Sequence, residues 1–433
     1  MLRIAIPLAL AELGWMSMGV VDTIMVGRLP ESAVSIGAAS VGNALFYAFA
    51  IFGLGLMSGL DTLVSHAFGA NDWAKARRAL ASGLGLAVCA TPVLAACILG
   101  GAPILELIGV TAPVRTRAVP FTRVLVWSLP LILLYSVLRR YIQALHHVRP
   151  ITFALVTANL VNVFGNWLLI FGHWGLPALG VRGSALSTVF ARIYLAGVLF
   201  IAVKRRDPQA FSQAGDLFKG VDKLFRLGFP AALTIGFEVG VFNASTALVG
   251  TLDPVSLAAH TIALNAASVT YMVPLGIASA AAVSVGRAVG SGDRRGAARA
   301  GWTALGLGTV FEIVSAITLL VFPRQIAHLY TQDPRVVAFA VTLLFIAALF
   351  QLFDGLQTIA TGALRGFGNT KTPMVWNLLG YWVIGLPLGC WLCFRLGWGA
   401  VGIWDGLCLA LILIGLGLTA VWWYESEHLT NIH

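Results

Sequence analysis

Charge is scarce in this sequence. Asp, Glu, Lys and Arg make up 11% of its 433 residues, while 58% are hydrophobic and the mean hydropathy is +0.87. A soluble domain carries about 25% charged and roughly 45–50% apolar residues. The shortage excludes a soluble enzyme, a disordered chain and a nucleic-acid-binding domain. Cysteine is sparse as well: Cys89, Cys97, Cys390, Cys393 and Cys408 all fall in apolar stretches and read as packing residues, not as a disulfide framework. Cys390 and Cys393 form C-x-x-C, but no histidine or βαβ pattern accompanies them, so no redox or metal role is expected. His146-His147 and His260 lack metal-ligand spacing. GALRGFGNTKT contains glycine, lysine and threonine without the G-x-x-x-x-G-K-[ST] spacing of a phosphate loop. No cofactor is expected, and nucleotide hydrolysis is not the expected energy source.

Long apolar runs take the place of charge. A bilayer span needs about 20 apolar residues, and twelve runs qualify, at roughly 4–27, 33–65, 79–101, 119–143, 151–172, 180–203, 224–250, 256–286, 300–322, 335–364, 373–394 and 400–424. The first runs far past the 7–15-residue core of a cleavable signal peptide and includes Asp22, so no such signal is expected. With the N-terminus placed inside, 19 of the 28 basic residues fall on the cytoplasmic side and eight outside, which puts both termini in the cytoplasm. The same asymmetry accounts for the net charge of +10. The expected location is a plasma membrane, the inner membrane of a bacterium, with lipid as the surrounding partner and no nucleic acid bound.

The two halves resemble each other. Ile6-Pro7 corresponds to Phe229-Pro230, Val26-Gly27 to Val249-Gly250, and AFGANDWAKARRA at 67–79 to AVGSGDRRGAARA at 288–300. Gly180 and Gly183 correspond to Gly399 and Gly402, and every offset lies between 219 and 223 residues. Six spans per half make the repeat parallel. The expected organisation is an N-terminal six-helix lobe at 1–203, an inter-lobe loop at 204–223 and a C-terminal six-helix lobe at 224–433. Such repeats mark transporters, with the substrate near the midplane. Gly55 and Gly59 form G-x-x-x-G, a sign of close helix packing.

Charges inside the spans carry the chemistry, because each costs at least about 2.5–3.5 kcal/mol at mid-bilayer. Glu12, Asp22, Glu238, Glu312 and Asp354 are the deeper acids; Asp61 and Asp405 lie near span ends, and Arg192 is the one intramembrane base. Gln351, Asp354, Thr358 and Thr361 recur at i, i+3, i+7 and i+10, a polar stripe on one helix face. Under the repeat Glu238 corresponds to Trp15 and Asp22 to Ser245, so neither acid is required by the fold of both halves. Asn162 and Asn166 lie one turn apart and are candidates to join Asp22 around an ion. Phe242, Tyr271 and Trp382, with Gln351, are candidate substrate contacts near these acids, because aromatic faces stack on cations.

The parallel repeat, VDTIMVGRL at 21–29, the G-x-x-D loops at 69–72 and 290–293, and NVFGNWLLIFG at 162–172 together resemble the multidrug and toxic compound extrusion (MATE) family. So do FPAALTIGFEVGVFNAS at 229–245 and QLFDGLQTIATGALRGFGNTKTP at 351–373, and the resemblance covers essentially the whole chain. It implies an all-α membrane protein with twelve helices in two lobes forming a V-shaped cleft. It also implies a transporter, not an enzyme, that acts as a monomer and expels small organic cations in exchange for Na⁺ or H⁺. Glu238 and Asp354 resemble the C-lobe cation site of the NorM-like branch. Asp22, Asn162, Asn166 and Thr188 resemble the N-lobe site, so Na⁺ is a candidate at Glu238, Asp354 or Asp22. Asn166 stands where the DinF-like branch has a second acid, which favours NorM-like behaviour. Glu12 and Glu312 match no family position. The rival readings are a lipid-linked oligosaccharide flippase of the same superfamily and an integral-membrane enzyme. The flippase is expected to have a more cationic cavity, and the enzyme needs a nucleophile or metal beside its acids.

Overall fold

The computed structural model describes residues 2–107 and 109–431, which form helices and connecting turns with no strand among them. Contacts divide the chain into two compact units. One runs from Leu10 to Ala232; the other runs from Leu233 onward and includes the first residues up to Ala9. The divisions fall inside α1 (Leu2–Val26) and inside α10 (Val221–Gly250).

The first unit continues from α1 through α2 (Ser32–Met57), α3 (Gly59–Gly69), α4 (Trp73–Gly100), α5 (Ile104–Leu107), α6 (Ala112–Val126), α7 (Leu129–Ala144), α8 (Arg149–Phe171) and α9 (Val181–Arg206) to the start of α10. The span expected at 119–143 is longer and bent: α6 and α7 meet at 46°. Pro130 explains the break. It has no N–H to offer the carbonyl of Val126, and its ring crowds the preceding turn. The expected span at 33–65 likewise divides into α2 and α3 at Ser58.

The second unit takes the rest of α10, then α11 (Pro254–Gly290), α12 (Arg294–Val321), α13 (Pro323–His328), α14 (Pro334–Phe367), α15 (Lys371–Asn377), α16 (Leu386–Cys390) and α17 (Ala400–Asn431). α14 lies at its centre, packed on α11, α12 and α17. Two wider π-helical runs, Leu378–Gly385 and Trp391–Arg395, flank α16. Pro387 there removes one donor from the helix ladder, and such interruptions often accompany π geometry.

Repeat-related positions make the same contacts in each unit. Asp72 and Asp293 cap α4 and α12, accepting from Lys75 N and Gly296 N at 2.8 Å in both cases. The G-x-x-D loops are therefore helix starts. Gly55 lies against Ala232, and Gly276 against Ala9; a Cβ on either glycine would come within 2.5 Å of the facing backbone. Gly276 and Ala232 follow Gly55 and Ala9 by 221 and 223 residues, the repeat offset. In each unit an initial helical stretch thus seats on a glycine, as the G-x-x-x-G spacing suggests.

Among the described residues, eleven helices or helix runs are long and apolar enough to cross a membrane, and the bent pair α6–α7 makes the twelfth expected span. Val88, Val93, Leu160 and Val310 are exposed on span surfaces, an arrangement suited to hydrocarbon. The protein is an integral membrane protein. Several of its charges are structural. Arg139 pairs with Glu12 and Arg140 with Asp61, the latter at 2.5 Å. Just beyond α9, Asp207 accepts from Arg77 at 2.7 Å and from the Tyr141 hydroxyl at 2.7 Å. Burial alone would raise the Asp207 value, but these bonds prevail and hold it below the usual carboxylate range.

Candidate functional site

Each unit contains a cavity with an acid on its first helix. In the second unit a space of about 210 Å³ is lined by Glu238 and Phe242 of α10, Ser268 and Tyr271 of α11, and Phe350 and Asp354 of α14, among others. The α-helical spacing of Glu238 and Phe242, four residues apart, puts both on one face. The Tyr271 hydroxyl donates to Glu238 Oε1 at 2.9 Å and receives a bond from Thr358 Oγ1 at 3.4 Å. Asp354 is buried, and its Oδ1 has no hydrogen-bond partner among the described residues. Phe242 packs edge-on against Phe350 and Tyr381, with ring centres 5.9 and 6.1 Å apart. Two carboxyls, a phenol and aromatic faces therefore line one space, and no Lys or Arg lines it with them. That donor set suits a cation, whether a small ion held by oxygens or an organic one stacked on rings.

In the first unit a cavity of about 270 Å³ is lined by Trp15, Asp22, Asn43, Tyr47, Thr188 and Arg192, with Met16, Met18 and Gly19. Asn166 Nδ2 donates to Asp22 Oδ1 at 2.6 Å and lies 3.3 Å from Asn162 Oδ1. Thr188 Oγ1 donates to Asp22 Oδ2 at 3.2 Å. α8 and α9 approach closely enough because Gly165 faces Ser187: a Cβ there would lie 2.5 Å from the serine hydroxyl. Ser187 in turn donates to the Asn162 carbonyl at 2.8 Å. The structure thus brings Asp22, Asn162, Asn166 and Thr188 together.

Two expected contact residues sit elsewhere. Gln351 turns its amide to α12 and donates to Ser315 Oγ at 2.9 Å. Trp382 donates its indole N–H to the Phe237 carbonyl at 3.0 Å and packs on Gly240. Neither lines the space between Glu238 and Asp354.

Sequence reasoning left out Arg192 as a neighbour of Asp22. It is buried, donates to Ser128 Oγ and to the Tyr47 hydroxyl at 2.9 Å, and lies 4.8 Å above the Phe46 ring. Its position on α9 four residues after Thr188 was the available signal, since i and i+4 share a face. Glu12, which matched no family position, is explained by its partner Arg139.

Comparison with known proteins gives one consistent result. The family model described as MatE matches twice, over residues 7–168 and 230–391, the same stretch of each half. The curated "Probable multidrug resistance protein NorM" of Mesorhizobium japonicum is 35% identical, the match covering 97% of this chain and 92% of the relative. The protein of the same name from Brucella suis is 33% identical, covering 100% and 94%. Among solved structures, the crystal structure of the eukaryotic MATE transporter AtDTX14 superposes with a TM-score of 0.89 at 23% identity, covering 99% of this chain and 97% of that one. The twofold match agrees with the parallel repeat, and the superposition with the two-lobe helical fold.

Proposed function

This chain belongs to the MatE family, and we propose that it is a multidrug efflux transporter exporting organic, mainly cationic compounds by antiport with Na⁺ or H⁺. The observation that carries this reading is the cavity between Glu238 and Asp354, where two carboxyls face aromatic rings without a basic residue among the lining groups. A carboxyl site of this kind takes either an inorganic ion or an organic cation, not both. That competition is what exchange requires. One charge moving inward across 100 mV releases about 2.3 kcal/mol, roughly fifty-fold in gradient.

In this reading Tyr271 orients Glu238 and offers a ring face, while Phe242 and Phe350 form the apolar wall. Asp22, with Asn162, Asn166 and Thr188, supplies a second ion site in the first unit. The NorM relatives are named for multidrug resistance, which supports drugs and dyes as substrates. The protein works as a monomer in a bacterial inner membrane with both termini in the cytoplasm, following its basic loops. In this reading it is a transporter and not an enzyme, which the names of its NorM relatives support. Arg192 is the one feature favouring a flippase for lipid-linked oligosaccharides, since a buried guanidinium suits a phosphate; Asp22 in the same cavity opposes it. Expression in a host stripped of its efflux pumps tests the proposal. Raised resistance to ethidium is expected; unchanged sensitivity, with the protein present in the membrane, contradicts it.

A further inference from the structure

Glu312 lies midway along α12, is 1% exposed, and neither of its carboxyl oxygens has a hydrogen-bond partner among the described residues. The Glu12, Asp61 and Asp207 carboxyls each meet an arginine; Glu312 meets none. Its carboxyl rests on the backbone of α14. A Cβ on Gly355 would lie 2.5 Å from Glu312 Cγ and 2.9 Å from its Oε1. Gly355 directly follows Asp354, so this acid sits behind the helix turn that presents Asp354 to the cavity.

The elements packed on α12 are α14, α11, α17 and the short α13. α14 brings two polar groups to Glu312. One is Asp354, the charged group whose field is felt between the two acids. The other is Gln351, close enough to polarise the carboxyl, although its amide nitrogen is committed to Ser315 and its Oε1 is unmatched. Among the described residues no group of α11, α17 or α13 hydrogen-bonds to it.

An ionised carboxylate in that setting would have no counter-ion, and the one amide beside it, that of Gln351, is already committed to Ser315, so burial disfavours the charged form. A metal ion needs a shell of oxygen ligands, and on the α14 side there is no room even for a methyl group. A proton needs no shell. We infer that Glu312 is a proton-carrying site of the second unit, taking up one proton on a carboxylate oxygen and releasing it during the transport cycle. One O–H bond forms and later breaks; no other bond changes. When that proton leaves, a second negative charge stands behind Asp354 and alters what the cavity holds. This deepens the antiport reading, on which it rests, by assigning H⁺ to one buried residue that the cavity itself does not include.

The test uses the full-length protein in lipid nanodiscs. Infrared difference spectra on titration from acid to alkaline pH report the carbonyl stretch of protonated carboxylic acids. The expected result is a band in wild type that is lost on alkalinisation and absent in Glu312→Gln. Glu312→Asp, which keeps the acid but withdraws it by one methylene, should shift the band and serves if the Gln variant fails to fold. Identical titrating bands in wild type and the variants overturn the proposal. So does loss of the band on adding Na⁺ at constant pH, which makes the site a sodium site. Ethidium efflux is measured separately: its absence in wild type defeats the transport reading and with it the role in the cycle, while the band still reports whether Glu312 takes up a proton.

Discussion

The hydroxyl of Tyr271 donates to Glu238 Oε1 at 2.9 Å, tying α11 to α10 at the acid that breaks the internal repeat. A hydrogen bond to a charged group contributes about 1.5–3 kcal/mol. Tyr271→Phe keeps the ring and removes this bond, together with the longer one from Thr358. Ethidium affinity of the purified protein should change by about tenfold or more while the melting temperature moves little. Equal affinity in the two proteins would remove Tyr271 from the site.

Glu12 and Arg139 form a buried pair between α1 and α7, each side chain only about one-tenth exposed. Breaking such a pair strands a charge and costs about 3–5 kcal/mol. Glu12→Ala should therefore lower thermal stability in detergent markedly. The double variant Glu12→Leu/Arg139→Met should recover most of it, because an apolar pair of similar size leaves no charge unpaired.

Gly276 has the Ala9 backbone directly over it. Overpacking a tight contact costs about 1–3 kcal/mol, and Gly276→Val adds three carbons where none fits. Its repeat counterpart Gly55→Val should be destabilising to a similar extent. Thermal unfolding of both variants checks the equivalence; stability like wild type in either contradicts it.

How far the sequence carried is clearest at particular residues. Hydropathy alone placed the spans, and the repeat was visible from paired motifs such as Asp72 and Asp293, whose capping role then proved identical. The acids were legible because charge in an apolar run is conspicuous. Their partners were not. Glu12 and Arg139 are 127 residues apart, and only the rotation of α1 against α7 brings them together. Gln351 shares a stripe with Asp354, yet three residues turn a helix by about 300°, enough to aim it at Ser315 on another helix. The bend after α6 was foreshadowed by Pro130, but its angle depends on how the freed turn packs.

Asp207 makes stability depend on pH. Its folded-state value lies below the usual range because hydrogen bonds from Arg77 and Tyr141 outweigh burial. The stabilisation is thus present above the unfolded value of about 3.9 and disappears as pH falls through the lower folded value. Melting temperatures measured from pH 7 down to pH 3 should fall less steeply for Asp207→Asn, which starts lower. Parallel curves would show that this carboxylate does not contribute.

The most direct test concerns Asp354. Cells are loaded with ethidium without an energy source and given either a sodium pulse or an acid pulse, for wild type, Asp354→Asn, Glu238→Gln and an empty vector. One pulse should drive efflux in wild type, identify the coupling ion, and fail in both variants. Efflux in Asp354→Asn and Glu238→Gln equal to wild type would contradict the role assigned to that cavity.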